Sequence, residues 1–334
     1  MLNEKTYSLT NYNEAENVIA DYKKLVDKAN SIHNQLQPEY KDAFYQLVLF
    51  PVLASANLNE LYVATAKNQL YANQGRSSAN FYAKQVKDLF EKDSLLTNYY
   101  HTKLANGKWN HMMAQTHIGY TYWQEPKKNV IPKTSLIELA NKSDAGIAIE
   151  GSEKSWTTNA EEIVLPTFNS FENKSTYVDL FNRGIKPFDF KISTKNNWIT
   201  FSKSKGIIND EERIIVNIDW TKVQKSDLKG QFTITANKQK FVVNVNILNI
   251  EAKQIRGFAE SNGYIAIDAQ NYSRAFNKDV KWTVIPNLGR TKSGVTLKPS
   301  NNKTIEISEN SPRLEYYLHF FSKGNIKVYA YFSP

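Results

Sequence analysis

Cysteine is absent from the 334 residues. That excludes disulfides and thiolate chemistry and leaves the redox compartment open. Long apolar runs are scarce, and none reads as long enough to span a bilayer. The start, MLNEKTYSLTNYNEAENV, lacks the apolar centre of a signal peptide. Internal repeats and low-complexity tracts are also missing. The chain has 42 Lys and Arg against 33 Asp and Glu, a net charge of +9, yet no block of basic residues. Residues 1–126 hold 12 of each sign, so the whole excess lies beyond them. Those charges are scattered singly, which reads as a solvated surface rather than a nucleic-acid face, although a basic half also suits an acidic polymer. Gly289 to Gly294, GRTKSG, lacks the Gly-Lys-Ser/Thr order of a phosphate loop and opens no helix. What is present, 41% hydrophobic and 22% charged residues, is the composition of an ordinary globular chain of two or three domains.

The first third predicts an antiparallel helical bundle. Asn11 or Asn13 caps a first helix with Glu14 and Glu16 in its opening turn and Ala15, Val18, Ile19, Tyr22, Leu25, Val26 and Ala29 at helical spacing. Pro38 restarts the chain into a long helix with Phe44, Leu47, Val48, Leu58, Leu61 and Leu70 as its stripe. Pro51 is expected to kink it and Gly75 to end it. A third helix follows from Ser77 or Ser78 through Phe90. A fourth, capped by Asp93 or Ser94, ends at Gly107. Residues 127–164 read as a linker with a short strand around Gly146 to Glu150. From 165 the period becomes two: TYVDLFNR, FDFKIS, NWITFS, RIIVNIDW, GQFTITA and KFVVNVNIL predict an immunoglobulin-like β-sandwich over 165–250. A second, incomplete β-sandwich is expected over 251–334, from GYIAIDA, VKWTVIP, GVTLKP, KTIEIS, RLEYYLHFF and NIKVYAYF, with a tight turn at Lys323-Gly324-Asn325.

The most informative stretch is Lys108 to Pro126, KWNHMMAQTHIGYTYWQEP. It holds two of the six Trp and two of the five His in nineteen residues without a clean period. Flat aromatics among neutral hydrogen-bonding groups suit a sugar, whose C–H face stacks and whose hydroxyls find donors and acceptors. The competing reading is an aromatic plug for one end of the bundle, and residue types alone favour it.

The segment closely resembles a signature of glycoside hydrolase family 115, the xylan α-1,2-glucuronidases. AFYQLVLFPVLASANLNELYVATAKNQLYANQGR (Ala43 to Arg76) resembles the helical region of that family. YVDLFNRGIKPFDFKIS (Tyr177 to Ser193) and GFAESNGYIAIDAQNYSR (Gly257 to Arg274) resemble its downstream β domains. The strings are collinear over nearly the whole chain, which is more specific than any short motif. The resemblance implies a post-barrel portion: the catalytic (β/α) barrel is expected upstream and absent here, and the last β domain is expected to be truncated near Pro334. It also implies a parent enzyme that is exported.

Glycoside hydrolysis needs two flanking carboxylates, and the aromatic segment offers only Glu125. Glu60 and Asp93 read as surface or capping groups. The chain alone is therefore expected to be inactive, a scaffold for the barrel whose loop lines the pocket rim through His111, Gln115, His117, Tyr120, Tyr122 and Trp123. His111 and His117 lack a third ligand for zinc, so no metal and no cofactor is expected. Glu260, Tyr264 and Arg290, with Asp268, Tyr272 and Trp282 nearby, form a candidate carbohydrate-binding face. The expected partners are the catalytic barrel, glucuronoxylan or xylo-oligosaccharide reached through the parent enzyme, and a second copy in a homo-oligomer; nucleic acid and membrane are not expected. The alternative is a free-standing carbohydrate-binding or interaction module.

Overall fold

A computed structural model of the chain describes residues 2–224, 228–288, 293–300 and 306–333. Helices come first and several β-sheets follow. The chain divides into two compact units: Met1–Leu165 with Ser175–Lys222 and Gly230–Val245, and Pro166–Lys174 with Val223–Lys229 and Asn246–Pro334. This corrects the boundary expected over 127–164, because the helices and the first sheets share one unit.

The first unit opens with α1 (Glu14–Gln35), α2 (Pro38–Phe44), α3 (Phe50–Gln74) and α4 (Ala79–Thr102). Glu14 and Glu16 do lie in the first turn of α1. Asn13 sits at the cap position with φ 51° and makes no side-chain cap; its Oδ1 accepts instead from Arg213 Nη1 at 3.0 Å. Pro51 does not break the long helix. A π turn over Tyr45–Leu49 precedes it, and Phe50 N–H bonds back to Tyr45 O, so the widened ring accommodates the proline in the following turn. The same turn re-phases the apolar stripe: Tyr45, Leu49 and Phe50 are buried, whereas Leu47 is 74% exposed.

The helical run Pro38–Gln74 is long and apolar enough to cross a membrane by length and composition alone, which corrects the reading of apolar runs above. Buried Asn57, Asn59 and Asn68 punctuate it, and each side-chain amide donates to a backbone carbonyl within the unit. That is the pattern of a core helix whose buried amide donors are paired, although Asn57 Oδ1 is buried without a partner. Gly75, at φ 72°, ends the run. Gly75 N–H donates to Ala72 O and Arg76 N–H to Tyr71 O, the paired bonds of a Schellman stop that needs left-handed backbone. The third and fourth helices expected from sequence are one helix, α4, unbroken at Asp93.

Two sheets follow in the same unit. The first has the order β2 (Ser155–Trp156), β1 (Ala145–Ile149), β5 (Thr176–Asn182), β9 (Glu211–Ile218) and β7 (Ile199–Phe201). The second runs β3 (Ile163–Val164), β11 (Gln239–Leu248), β10 (Lys229–Ala236), β6 (Phe188–Thr194) and β8 (Lys205–Ile208); the last residues of β11, which pair with β4 (Phe168–Asn169), are counted with the second unit. All six strands expected here are present. The span read as a linker holds β1 where a short strand was expected and adds β2 and β3; β1 is buried along its whole length rather than laid over the surface. Every residue of β5 is buried too, because both faces are covered. Phe201 of the first sheet meets Phe232 of the second at 4.9 Å between ring centres. Tyr177, Asp179 and Phe181 project from the other face, toward the helices, as strand alternation requires. The remainder of the linker is strapped to the bundle: Asn68 bonds both N–H and C=O of Ser135, and Asn80 does the same for Ile137.

The second unit carries three two-stranded sheets rather than the second sandwich expected. β12 (Phe258–Ala259) pairs β17 (Leu318–His319), β13 (Arg274–Phe276) pairs β16 (Arg313–Glu315), and β14 (Lys281–Pro286) pairs β15 (Ser293–Lys298). VKWTVIP and GVTLKP form β14 and β15 as read. GYIAIDA and NIKVYAYF form no strand, so the turn at Lys323-Gly324-Asn325 joins none. Part of KTIEIS lies outside the described residues, and its described part, 306–308, is not strand.

Candidate functional site

The Lys108–Pro126 segment leaves α4 through a 3-10 turn over Leu104–Gly107 and folds back over the bundle. Its base is anchored. Ile118 is fully buried against Leu61, Ala64, Val86 and Leu89 of α3 and α4. Gly119 N–H donates to Tyr62 Oη at 3.1 Å. Its φ is 96°, and a Cβ there would stand 3.2 Å from Val130 Cβ, so the residue has two reasons to be glycine. Asn129 Oδ1 accepts from the N–H groups of His117 and Ile118. Thr116 hydroxyl bonds Pro126 O, and Met113 N–H donates to His101 Nε2 at 3.1 Å. Trp109 and Met113 pack half-buried against the cluster of Tyr45, Leu49, Phe50, Tyr100 and Leu104.

The six candidate residues divide accordingly. His117 belongs to the anchor: Nε2 meets Asp93 Oδ1 at 2.8 Å and Nδ1 meets Gln115 O at 3.0 Å. Both partners are acceptors, so both ring nitrogens donate only when the imidazole is protonated. The bond to Asp93 raises the His117 pKa above its ordinary value, outweighing the opposing effect of burial, and the bond to Gln115 O adds to it. Asp93 is therefore neither cap nor surface group; its side chain is 5% exposed. The sequence carried a signal for this, since Asp93 stands at helical spacing from Val86, Leu89 and Phe90, and a carboxylate on an apolar stripe requires a partner. Gln115 Nε2 reaches Tyr120 Oη at 3.5 Å, and the His111 ring lies 6.1 Å from that of His101. Tyr122 and Trp123 are 71% and 85% exposed at the tip. The segment is thus a plug at its base and an open aromatic surface at its tip.

A larger charge cluster, not anticipated from sequence, lies between helices and sheet. Arg76, placed by the Gly75 stop, donates to Gln74 Oε1, Asp179 Oδ2 and Glu211 Oε2 at 2.6, 3.2 and 3.1 Å. Arg213, directly opposite Asp179 in the β5–β9 register, holds that carboxylate at 2.7 and 3.0 Å. The guanidiniums lie over aromatic rings, Arg76 over Tyr71 at 4.1 Å and Arg213 over Tyr177 at 3.7 Å. Burial pushes both tyrosine hydroxyls well above their ordinary range. For Arg213, burial works against the charge, but the bond to Asp179 prevails and its pKa is raised. The adjoining cavity, lined by Tyr71, Gln74, Arg76, Tyr177, Asp179 and Arg213, has a volume of about 10 Å³, the room of one water and not of a sugar. This arrangement pins the helices to the sheet. Its carboxylates are enclosed by guanidiniums rather than placed to flank a glycosidic bond.

In the second unit, Glu260 accepts from Phe321 N–H, Ser322 N–H and Ser322 Oγ at 2.8, 2.9 and 2.6 Å. The Ser322 hydroxyl, with these amides, holds its pKa below the usual carboxylate value. Its acceptor capacity serves the chain itself. Tyr264 is 44% exposed beside the Asn262-Gly263 turn. Trp282 Nε1 is buried without a partner. Arg290 lies outside the described residues. Among the described residues, no three His, Cys, Asp or Glu side chains gather where they could hold a metal ion.

Residues 257–334 match the sequence model of the glycosyl hydrolase family 115 C-terminal domain, over less than half of the chain. No curated protein matches. Among solved structures, the chain is similar to the family GH115 4-O-methyl-alpha-glucuronidase BtGH115A, with specificity for decorated arabinogalactans; identity is 14% and TM-score 0.27, over 72% of this chain and 33% of that one. It is also similar to PapD-like domain 7 of human CEP192, at 10% identity and TM-score 0.24, over 38% of this chain and 100% of that one. A Bacteroides ovatus GH5 xyloglucanase matches at 12% identity and TM-score 0.21, over 32% of this chain and 20% of that one. The chain thus spans 33% of the length of the family 115 structure. Its C-terminal stretch is similar to a domain of glycoside hydrolases. The family it resembles is 115, matched through that family's C-terminal domain.

Proposed function

We propose that the chain is a non-catalytic C-terminal portion of a xylan α-1,2-glucuronidase of family 115. In this reading the helices and the two sheets of the first unit, taken as an immunoglobulin-like sandwich, form a scaffold for a catalytic barrel, and the 108–126 segment contributes to the pocket rim. The observation that carries the rim assignment is the contrast within that segment. Its base is locked by Ile118 and the His117–Asp93 pair, while Tyr122 and Trp123 stand exposed at the tip. A rigid base under exposed rings suits a stacking wall.

Two measurements test it. The purified chain, incubated with glucuronoxylan, releases no glucuronic acid; release that disappears in Glu125→Gln refutes the reading. In a protein that carries both barrel and chain, Tyr122→Ala with Trp123→Ala lowers kcat/KM about tenfold, or about 1.4 kcal/mol of transition-state binding. An unchanged kcat/KM removes the loop from the pocket.

A further inference from the structure

The β13–β16 pair of the second unit displays arginines and aromatic rings on one face. Arg274 stands opposite Glu315 and Phe276 opposite Arg313, and directly opposed residues share a face. Tyr317, two residues beyond Glu315, continues it. Arg313 lies over the Phe276 ring at 3.6 Å, and Arg256 and Arg274 lie over the Tyr317 ring at 4.2 and 5.2 Å. Three guanidiniums thus share the face with one carboxylate. Glu315 engages Arg313 Nε at 3.0 Å and Arg274 Nε at 3.3 Å, and Arg313 is further occupied by Glu309 O at 2.6 Å. Arg256 has no carboxylate partner among the described residues, and both Arg256 and Arg274 are exposed.

A guanidinium stacked on a ring is oriented by it, while its in-plane N–H groups stay available for a two-pronged bond to a carboxylate. Tyr317 thus orients both groups, with incomplete charge compensation. Two guanidiniums held by one ring are complementary to a carboxylate.

We propose that this face binds a uronate-bearing sugar chain, with Arg256 and Arg274 on the carboxylate and Tyr317 as the platform that aims them. The anionic half of this assignment stands on the arginines; the choice of a sugar as carrier rests on the glucuronidase reading above. The site makes no use of the 108–126 loop, so the two readings fail separately.

The test is affinity electrophoresis of the full chain in gels containing glucuronoxylan, the same polymer with its carboxylates reduced to alcohols, or polyaspartate. Retardation is expected with glucuronoxylan and not with the reduced polymer. Arg256→Ala with Arg274→Ala weakens binding on the order of tenfold to a hundredfold, with an unchanged circular dichroism spectrum because both side chains are exposed. Arg256→Lys with Arg274→Lys keeps the charge and loses the fork, and is expected to recover only part of the affinity. Equal retardation by the reduced polymer overturns the carboxylate assignment, and equal retardation by polyaspartate overturns the sugar. Wild-type binding by the lysine pair overturns the two-pronged geometry.

Discussion

Removing Asp179 is the sharpest probe of how the helices are held to the sheet. Its side chain is 8% exposed and receives two bonds from Arg213 and one from Arg76. In Asp179→Leu both guanidiniums remain, with Glu211 the one carboxylate left to Arg76, whose own side chain is 3% exposed. Breaking a buried pair from one side costs about 3–5 kcal/mol, since the remaining charge stays desolvated. Arg76→Met is milder: Asp179 keeps its two bonds to Arg213, and Glu211, at 26% exposure, reaches water and Ser78. Its cost is about 2 kcal/mol, from charge-assisted bonds lost without a stranded arginine. Equilibrium urea unfolding of the two variants, followed by tryptophan fluorescence, gives the comparison. The order Asp179→Leu above Arg76→Met is the decisive result. If Asp179→Leu costs under about 1 kcal/mol, or the order is reversed, the cluster does not pin the helices. Added salt should change these differences little, because the pairs are shielded from the ionic atmosphere.

The His117 latch predicts a pH dependence. Its folded pKa is raised above the ordinary value, so its bond to Asp93 stabilises the segment fully below about pH 6.5 and that contribution is lost as pH rises through the folded value. Hydrogen exchange at Ile118, Gly119 and Val130 should therefore quicken toward alkaline pH beyond the intrinsic rate, and His117→Asn should flatten the profile; an unaltered profile in the variant refutes the latch. The asparagine straps predict a protease result. Asn68→Ala and Asn80→Ala each leave backbone groups of 135–137 without partners, at about 1–3 kcal/mol apiece, so cleavage should spread into that stretch in the variants, whereas the wild-type chain is cut first within 121–128; equal wild-type cleavage at 130–137 refutes the straps.

Periodicity, caps and turns are properties of neighbours along the chain, and they made helix-then-sheet order legible. The Gly75 stop, the Pro38 start and six strands of the first two sheets follow from residue spacing alone. The GFAESNGY string likewise pointed to the family whose C-terminal domain matches. Other features depend on what a residue meets after folding. The π turn before Pro51 turned Leu47 outward, and no local propensity announces an extra residue in a helical turn. The supposed linker joined the sheets, through the short strand expected there and through β2 and β3, because β1 and β3 found partners in β5 and β11, about thirty and eighty residues away in register. Asp93 read locally as a surface or capping group, but it and Asp179 became buried acceptors when His117 and two arginines arrived from distant elements. The sequence by itself determined which segments could be helix or strand and where aromatics concentrate. Only the tertiary structure decided which charges are desolvated and paired, because that depends on contacts between segments far apart in the chain.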